Sequence, residues 1–268
     1  MARLKQVSSY TAWFWLFPLA RMPRRPAIPS VADLNAAAGG VATLDRALAV
    51  LAVFSGELPH PSLADIAART RIHKSTVLRM LSSLEHAHFV VKLPDGRYAL
   101  GPEIARLHLV YANSFSLEPL VMPVLHELVA QTQESAAFYI RQGARRLCLH
   151  RVDSPRPVRD HIRVGDLLPL DHGAGGRVML AYSGEQGEIY ARIRREQVAV
   201  LAGDRLAEVA GVAAPVFGAD QQLAGTLTLT MPTERLDPAF AGPVLQAARQ
   251  LTVRLGGVFP AQGSDAAG

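Results

Sequence analysis

The chain has 268 residues, 49% of them hydrophobic, a net charge of +5 and one cysteine, Cys148. That length suffices for two domains with cores of their own, and a single cysteine excludes an intramolecular disulfide and a zinc-finger framework. Charge is unevenly spread: residues 1–100 hold twelve Lys/Arg against six Asp/Glu, the remainder sixteen against seventeen, so the first third suits a nucleic-acid partner and the rest a partner of another kind.

The chain opens awkwardly. Residues 10–20, Tyr-Thr-Ala-Trp-Phe-Trp-Leu-Phe-Pro-Leu-Ala, follow Arg3 and Lys5 in the manner of a signal peptide. The run is too short to span a bilayer as a helix, and Pro18 interrupts it. Export would also contradict the motif that follows, so a cytoplasmic protein without a membrane partner is expected. Residues 1–21 are expected to be an upstream extension, with Met22 the alternative start. Arg21, Arg24, Arg25 and the Ala/Gly-rich stretch to Gly40 read as a flexible basic arm, making residues 1–40 an N-terminal extension.

Leu44, Ala47, Leu48 and Leu51 recur at helical spacing from Thr43 to about Phe54, and Gly56 to Pro61 ends that helix. Ser62 with Asp65 three positions on has the form of a capping box, followed by the apolar Leu63, Ile66 and Ala67. The next helix is expected to begin near Ser75 or Thr76. Val77, Met80, Leu81 and Leu84 fall on one arc of it; Ser75, Arg79, Ser82, Ser83 and His86 fall on the other, with Lys74 and Thr76 at its edge. Phe89–Leu93 and Arg97–Leu100 flank Pro94-Asp95-Gly96, which predicts a β-hairpin with Lys92 and Arg97 near its tip.

Two helices, a tight turn and a hairpin in this order are the sequence form of a winged helix-turn-helix, whose second helix enters the major groove of double-stranded DNA. Arg pairs bidentately with guanine, and Ser or Thr bonds phosphate or base edges. Lys74, Ser75, Thr76, Arg79, Ser82, Ser83, Lys92 and Arg97 are therefore the candidate DNA contacts. Taken singly, Ser75 or Thr76 serves equally well as a helix cap, and Arg79 as a solvated surface charge.

Gly101-Pro102 starts another helix, since proline is favoured at the first helical position; Ile104, Leu107, Leu109 and Val110 make it a connecting and pairing helix. Leu117 to Gln131 is a further helix. From about residue 135 the period shortens: 136–140, 146–152 and Val158 to Val164 read as strands, then helices at 174–183 and 186–195, strands at 209–217 and 222–230, and a last helix from Pro238 to Leu255. This pattern predicts an α+β domain with one largely antiparallel sheet.

The residues also carry a resemblance. Thr43-Leu44-Asp45-Arg46-Ala47-Leu48, Lys74-Ser75-Thr76-Val77-Leu78-Arg79, Gly96-Arg97-Tyr98-Ala99-Leu100-Gly101, Val152-Asp153-Ser154-Pro155, Arg163-Val164-Gly165, Leu168-Pro169-Leu170 and Ala213-Ala214-Pro215-Val216 stand in the order of a known pattern. From Val41 to Gly257 the chain resembles the IclR family of bacterial transcriptional regulators. The resemblance implies a winged helix-turn-helix domain over 41–101, a linker helix over 102–116, a GAF-like effector domain over 117–258 and a disordered tail over 259–268. It further implies homodimers or dimers of dimers on palindromic operator DNA, and a small carboxylate effector.

Residues 168–177, Leu-Pro-Leu-Asp-His-Gly-Ala-Gly-Gly-Arg, lead into a helix, and small residues there leave backbone amides open to an anion. His172, Gly173, Ala174 and Gly175, with Gly211 and the alternating Thr228 and Thr230, are the candidate effector contacts; the last two match the hydroxyl residues of the family's Ser-x-Ser-Gly-Pro segment. Spacing alone is equally compatible with a plain glycine-rich connection and with threonine as a strand former. Arg177 stands where the family usually has Lys, Asp204 where it has Glu, Glu208 and Met231 where it has Gly, and Gly173 and Gly175 leave the loop unusually bare.

An enzymatic alternative rests on Cys148 with His150, two apart on a strand, or on His172 with Asp171 and Asp153. No activated-nucleophile motif surrounds them, and a buried structural thiol is the expectation for Cys148. His86, His88, His161 and His172 lack ligand spacing, so no metal, cofactor or catalytic residue is expected.

Overall fold

The computed structural model describes residues 29–114 and 117–260. The apolar run at 10–20, the alternative start at Met22 and the arginines at 21, 24 and 25 lie outside them.

In the first part, α1 (Val31–Leu34), α2 (Ala42–Leu51), α3 (Leu63–Thr70) and α4 (Lys74–His86) precede an antiparallel wing of β1 (Val90–Lys92) and β2 (Tyr98–Leu100). The capping box forms: Ser62 Oγ accepts from the Asp65 amide at 3.2 Å, and the Asp65 carboxylate accepts from the Ser62 amide at 2.9 Å. Arg71, in the left-handed region at φ +55°, ends α3 and turns the chain into α4. That helix starts at Lys74, and its N-cap residue, His73, makes no side-chain cap; Ser75 and Thr76 stand in its first turn and do not cap it. Val50, Ile66, Val77, Leu81 and Val90 form the core. The Tyr98 amide donates to the Pro61 carbonyl at 3.0 Å, tying the wing to the approach of α3.

The stretch to Gly40, expected as a flexible arm, contains structure. Ser30 and Asp33 form a capping box on α1, and Asp33 pairs with Arg46 of α2 at 2.8 Å. After the wing, α5 (Pro102–Ser114) carries Leu107, Leu109 and Val110 exposed. Among the described residues, no helix is long and apolar enough to cross a membrane.

The second part begins with α6 (Glu118–Thr132) and contains β3 (Ser135–Gln142), β4 (Arg145–Val152), β5 (Leu167–Pro169), α7 (Ala174–Ala181), α8 (Glu188–Glu196), β6 (Ala199–Ala202), β7 (Val209–Phe217), β8 (Leu223–Pro232) and α9 (Ala241–Arg254). The six strands form one antiparallel sheet in the order β5-β4-β3-β8-β7-β6. Successive strand residues face opposite sides. Ala136, Phe138, Val212, Ala214, Leu227 and Leu229 pack against α6 and α9. Their neighbours Ala137, Tyr139 and Ala213 pack on the α7 side. Thr226, Thr228, Thr230 and Gly211 alternate onto that same side.

Several expectations need correction. Val158–Val164 is not a strand: Pro155 and Pro157 remove backbone donors, Asp160 turns inward to pair with Arg151, and Val158 and Val164 lie exposed. Pairing with β4 is made instead by the short β5. β6 was not predicted, being a four-residue edge strand without alternation. Phe138 pairs with His150 but Tyr139 with Cys148, which makes Leu149 the extra residue of a bulge. Cys148 therefore packs with Tyr139 and Met179, while His150 faces the α6 side, where Glu118 is its charged neighbour. Phe259, expected within a disordered tail, packs edge-on against Phe217 with ring centroids 5.7 Å apart, and the Pro260 carbonyl accepts from Gln197. Residues 261–268 lie outside the description.

Candidate functional site

Two groups of polar side chains stand apart from the cores. The first is the outer face of α4. Lys74, Ser75, Arg79, Ser82 and Ser83 are exposed and Thr76 is half-buried. Leu78, 47% exposed, gives this face an apolar contact as well. The Ser83 hydroxyl donates back to the Arg79 carbonyl at 3.3 Å, so it is partly committed to its own helix. The first turn of α4 holds no acid, leaving the positive end of the helix dipole and Lys74 to favour phosphate. On the wing Lys92 is exposed. Arg97 pairs with Asp95 at 2.7 Å, with about half of each side chain in solvent. Exposed pairs of this kind contribute little, and a phosphate can replace the carboxylate.

The second group surrounds a cavity between the start of α7 and the sheet, about 360 Å³ of empty space including its opening to solvent. Gly173, Ala174 and Gly175 line it on one side; Gly211, Thr228 and Thr230 line it from β7 and β8. His172 does not line it. Its side chain is half exposed, with Nδ1 2.9 Å from Asp171, because the chain turns at Gly173 in the left-handed region (φ +77°). The His172–Asp171–Asp153 grouping does not form either, since Asp153 pairs with Arg151 at 2.7 Å.

The loop amides are not all open. Gly173 donates its amide to Asp204 Oδ2 at 2.5 Å, and Asp204 also receives Arg177 at 3.0 Å, so these two side chains clamp the entrance to α7. Burial raises the Asp204 carboxyl, but the Arg177 guanidinium and the Gly173 amide outweigh it and hold the group below its ordinary value. Arg177 bonds Asp204 and Tyr190 and is outside the cavity wall.

Residues not anticipated from sequence complete the wall: Tyr139, Arg146, Asp204 and Arg205, above an apolar floor that includes Ile162, Leu201 and Val209. The signal for Arg146 was present, because it stands two positions from Cys148 on one strand and so shares the face on which that thiol is buried. Burial pushes the Cys148 thiol up to about 12. His150 lies on the opposite side of the sheet and so cannot serve as its base. Among the described residues, no group of three or more His, Cys, Asp or Glu is placed to hold a metal ion.

Comparison with known proteins agrees with this architecture. The family model of the IclR helix-turn-helix domain matches residues 43–94, and that of the bacterial transcriptional regulator IclR C-terminal domain matches residues 110–189. The glycerol operon regulatory protein of Streptomyces griseus is 29% identical over 225 residues, which cover 75% of this chain and 89% of that protein. A solved IclR transcriptional regulator from Silicibacter sp. TM1040 is 27% identical with a TM-score of 0.72, covering 82% of this chain and 98% of that one. An IclR homolog from Microbacterium hydrocarbonoxydans, solved in complex with 4-hydroxybenzoate, has a TM-score of 0.69 at 19% identity over 80% of this chain and 98% of that one, a likeness of fold.

Proposed function

This chain belongs to the IclR family of bacterial transcriptional regulators, and from that premise we propose that it binds operator DNA under the control of a small organic acid. In this reading α4 enters the major groove, where Arg79 reads base edges with Ser75, Thr76, Ser82 and Ser83 beside it. Lys74, Lys92 and Arg97 hold phosphates. Residues 41–101 are the DNA module, 102–116 the linker and 117–258 the effector domain, working as a homodimer or a dimer of dimers in the cytoplasm.

The effector sits between the start of α7 and the sheet, against Gly173, Ala174, Gly175, Gly211, Thr228 and Thr230. Binding there shifts the balance between arrangements of the oligomer that fit or misfit the operator. The observation that carries the reading is the pairing, within one chain, of an exposed helix face whose first turn holds no acid with a cavity walled by helix amides, hydroxyls and guanidinium groups. The 4-hydroxybenzoate complex of the Microbacterium homolog supports a carboxylate as the class of ligand.

The test is fluorescence anisotropy of the full chain on DNA flanking its own gene, at fixed salt, with and without a panel of carboxylic acids. Specific DNA should bind at least about a thousandfold more tightly than random DNA, and one acid class should shift that affinity by roughly 5- to 150-fold. Binding without sequence preference, unchanged by every acid, overturns the reading.

A further inference from the structure

We propose that Arg146 is the anion-recognising residue of the cavity, selecting a compact carboxylate that it grips end-on through its Nε–Nη2 edge. This rests on the effector-pocket reading above and adds to it a residue and a mode of binding.

Arg146 is 4% exposed and makes no ion pair among the described residues. Its Nη1 donates to the carbonyls of Pro169 and His172, the latter at 2.7 Å, which anchors one end of the guanidinium. Its Nε is buried without a partner. The Nε–Nη2 edge is the side of a guanidinium that matches a carboxylate bidentately. Here that edge runs along the glycine loop: a Cβ on Gly173 would lie 3.0 Å from Nη2, and one on Gly175 would lie 3.8 Å from Nε. A Cβ on Gly176 would collide with Nη1. The bareness of residues 173–176 is thus the room that a buried arginine needs.

Two further polar atoms stand beside Gly175. The point where a Gly175 Cβ would stand is 2.8 Å from Thr228 Oγ1 and 3.3 Å from Thr226 Oγ1. Both hydroxyls are buried and without partners. Nearby acids are committed elsewhere, Asp204 to Arg177 and the Gly173 amide, Asp160 to Arg151. Arg205, the other cation of the wall, lies 3.9 Å from Asp160. Burial lowers Arg146 to about 10, with Arg205 adding to the effect, so the group is still a cation at neutral pH. A buried cation without a carboxylate is costly, and a ligand carboxylate meets that charge together with the unpartnered hydroxyl of Thr228, the one of the two that lines the cavity. The empty space includes the opening to solvent, so the enclosed room suits a compact molecule and excludes a large one.

The experiment measures binding to the full chain by calorimetry, using acetate, pyruvate, succinate and 4-hydroxybenzoate, each against its uncharged amide. At least one acid should bind, and its amide should bind tenfold or more weakly. Arg146→Lys keeps the charge and a donor for the two carbonyls but loses the fork, so affinity for that acid should fall about tenfold or more while the melt stays cooperative. Gly175→Ala, which fills the point beside Thr228 and leaves Arg146 in place, should abolish binding. Loss in Gly175→Ala with wild-type affinity in Arg146→Lys overturns the role of Arg146 and leaves the pocket standing. Unchanged affinity in both variants overturns the pocket reading itself. Equal binding of acid and amide, or no binding by any of the acids, overturns the inference.

Discussion

The α4 face and the cavity beneath α7 both collect polar side chains, but they hold them under opposite conditions. On α4, Lys74, Ser75, Arg79 and Ser82 are exposed and water satisfies them, so stability gains little from their presence. Around the cavity, Arg146 and Thr228 are at least nine-tenths buried and retain unpartnered atoms, and burial makes each such group costly. The outer face can therefore change its chemistry without disturbing the fold. The inner one cannot, because any change there acts on buried groups.

The widest separation between the two is expected at the clamp. Asp204→Ala leaves the partly buried Arg177 and the Gly173 amide without their acceptor, and should cost roughly 2–3 kcal/mol in urea denaturation. Because the folded state lowers this carboxyl below 3.8, its contribution is complete above that value and is lost as pH falls through the lower folded-state value. Asp204→Asn should flatten that acid-side loss. An unchanged urea midpoint for Asp204→Ala would make the cavity wall as dispensable to the fold as the α4 face.

Next in size, Arg79→Ala should weaken operator binding by about 1–3 kcal/mol, well beyond its effect on random DNA, with no shift in the urea midpoint. Equal loss on both DNAs would reduce Arg79 to a phosphate contact. Smallest is Lys92→Ala on the wing. It should weaken every DNA alike and lower the slope of log affinity against log salt by about 1, read from anisotropy at several ionic strengths; an unchanged slope would remove Lys92 from the interface.

The DNA-reading part was legible because each of its elements is specified by near neighbours. Ser62 and Asp65 are three apart, Val77, Met80, Leu81 and Leu84 lie within one helix, and Pro94-Asp95-Gly96 closes a short hairpin. The cavity was legible only in part. Thr228 and Thr230 alternate in one strand, and the small residues at 173–175 announce a helix start. Whether His172 points in or out depended on the backbone turn at Gly173. One bulge residue, Leu149, sent His150 to the far face and so removed the partner proposed for Cys148. Val158–Val164 has strand-like ends, but Pro155 and Pro157 just ahead of it and the inward Asp160 deny it a ladder.

What the sequence determined by itself was most of the order of elements and the DNA partner of the first part, since helical period, capping and turn chemistry act over a few residues. The basic, winged stretch from Ser62 to Gly101 already implied DNA. Only the tertiary structure decided which side chains meet at the cavity. Arg146 on β4 comes to Gly173, Gly175 and Gly176, and Gly175 to Thr228, through strand pairing and the packing of α7 on the sheet. Those contacts join residues some thirty and eighty positions apart, and no local periodicity encodes them.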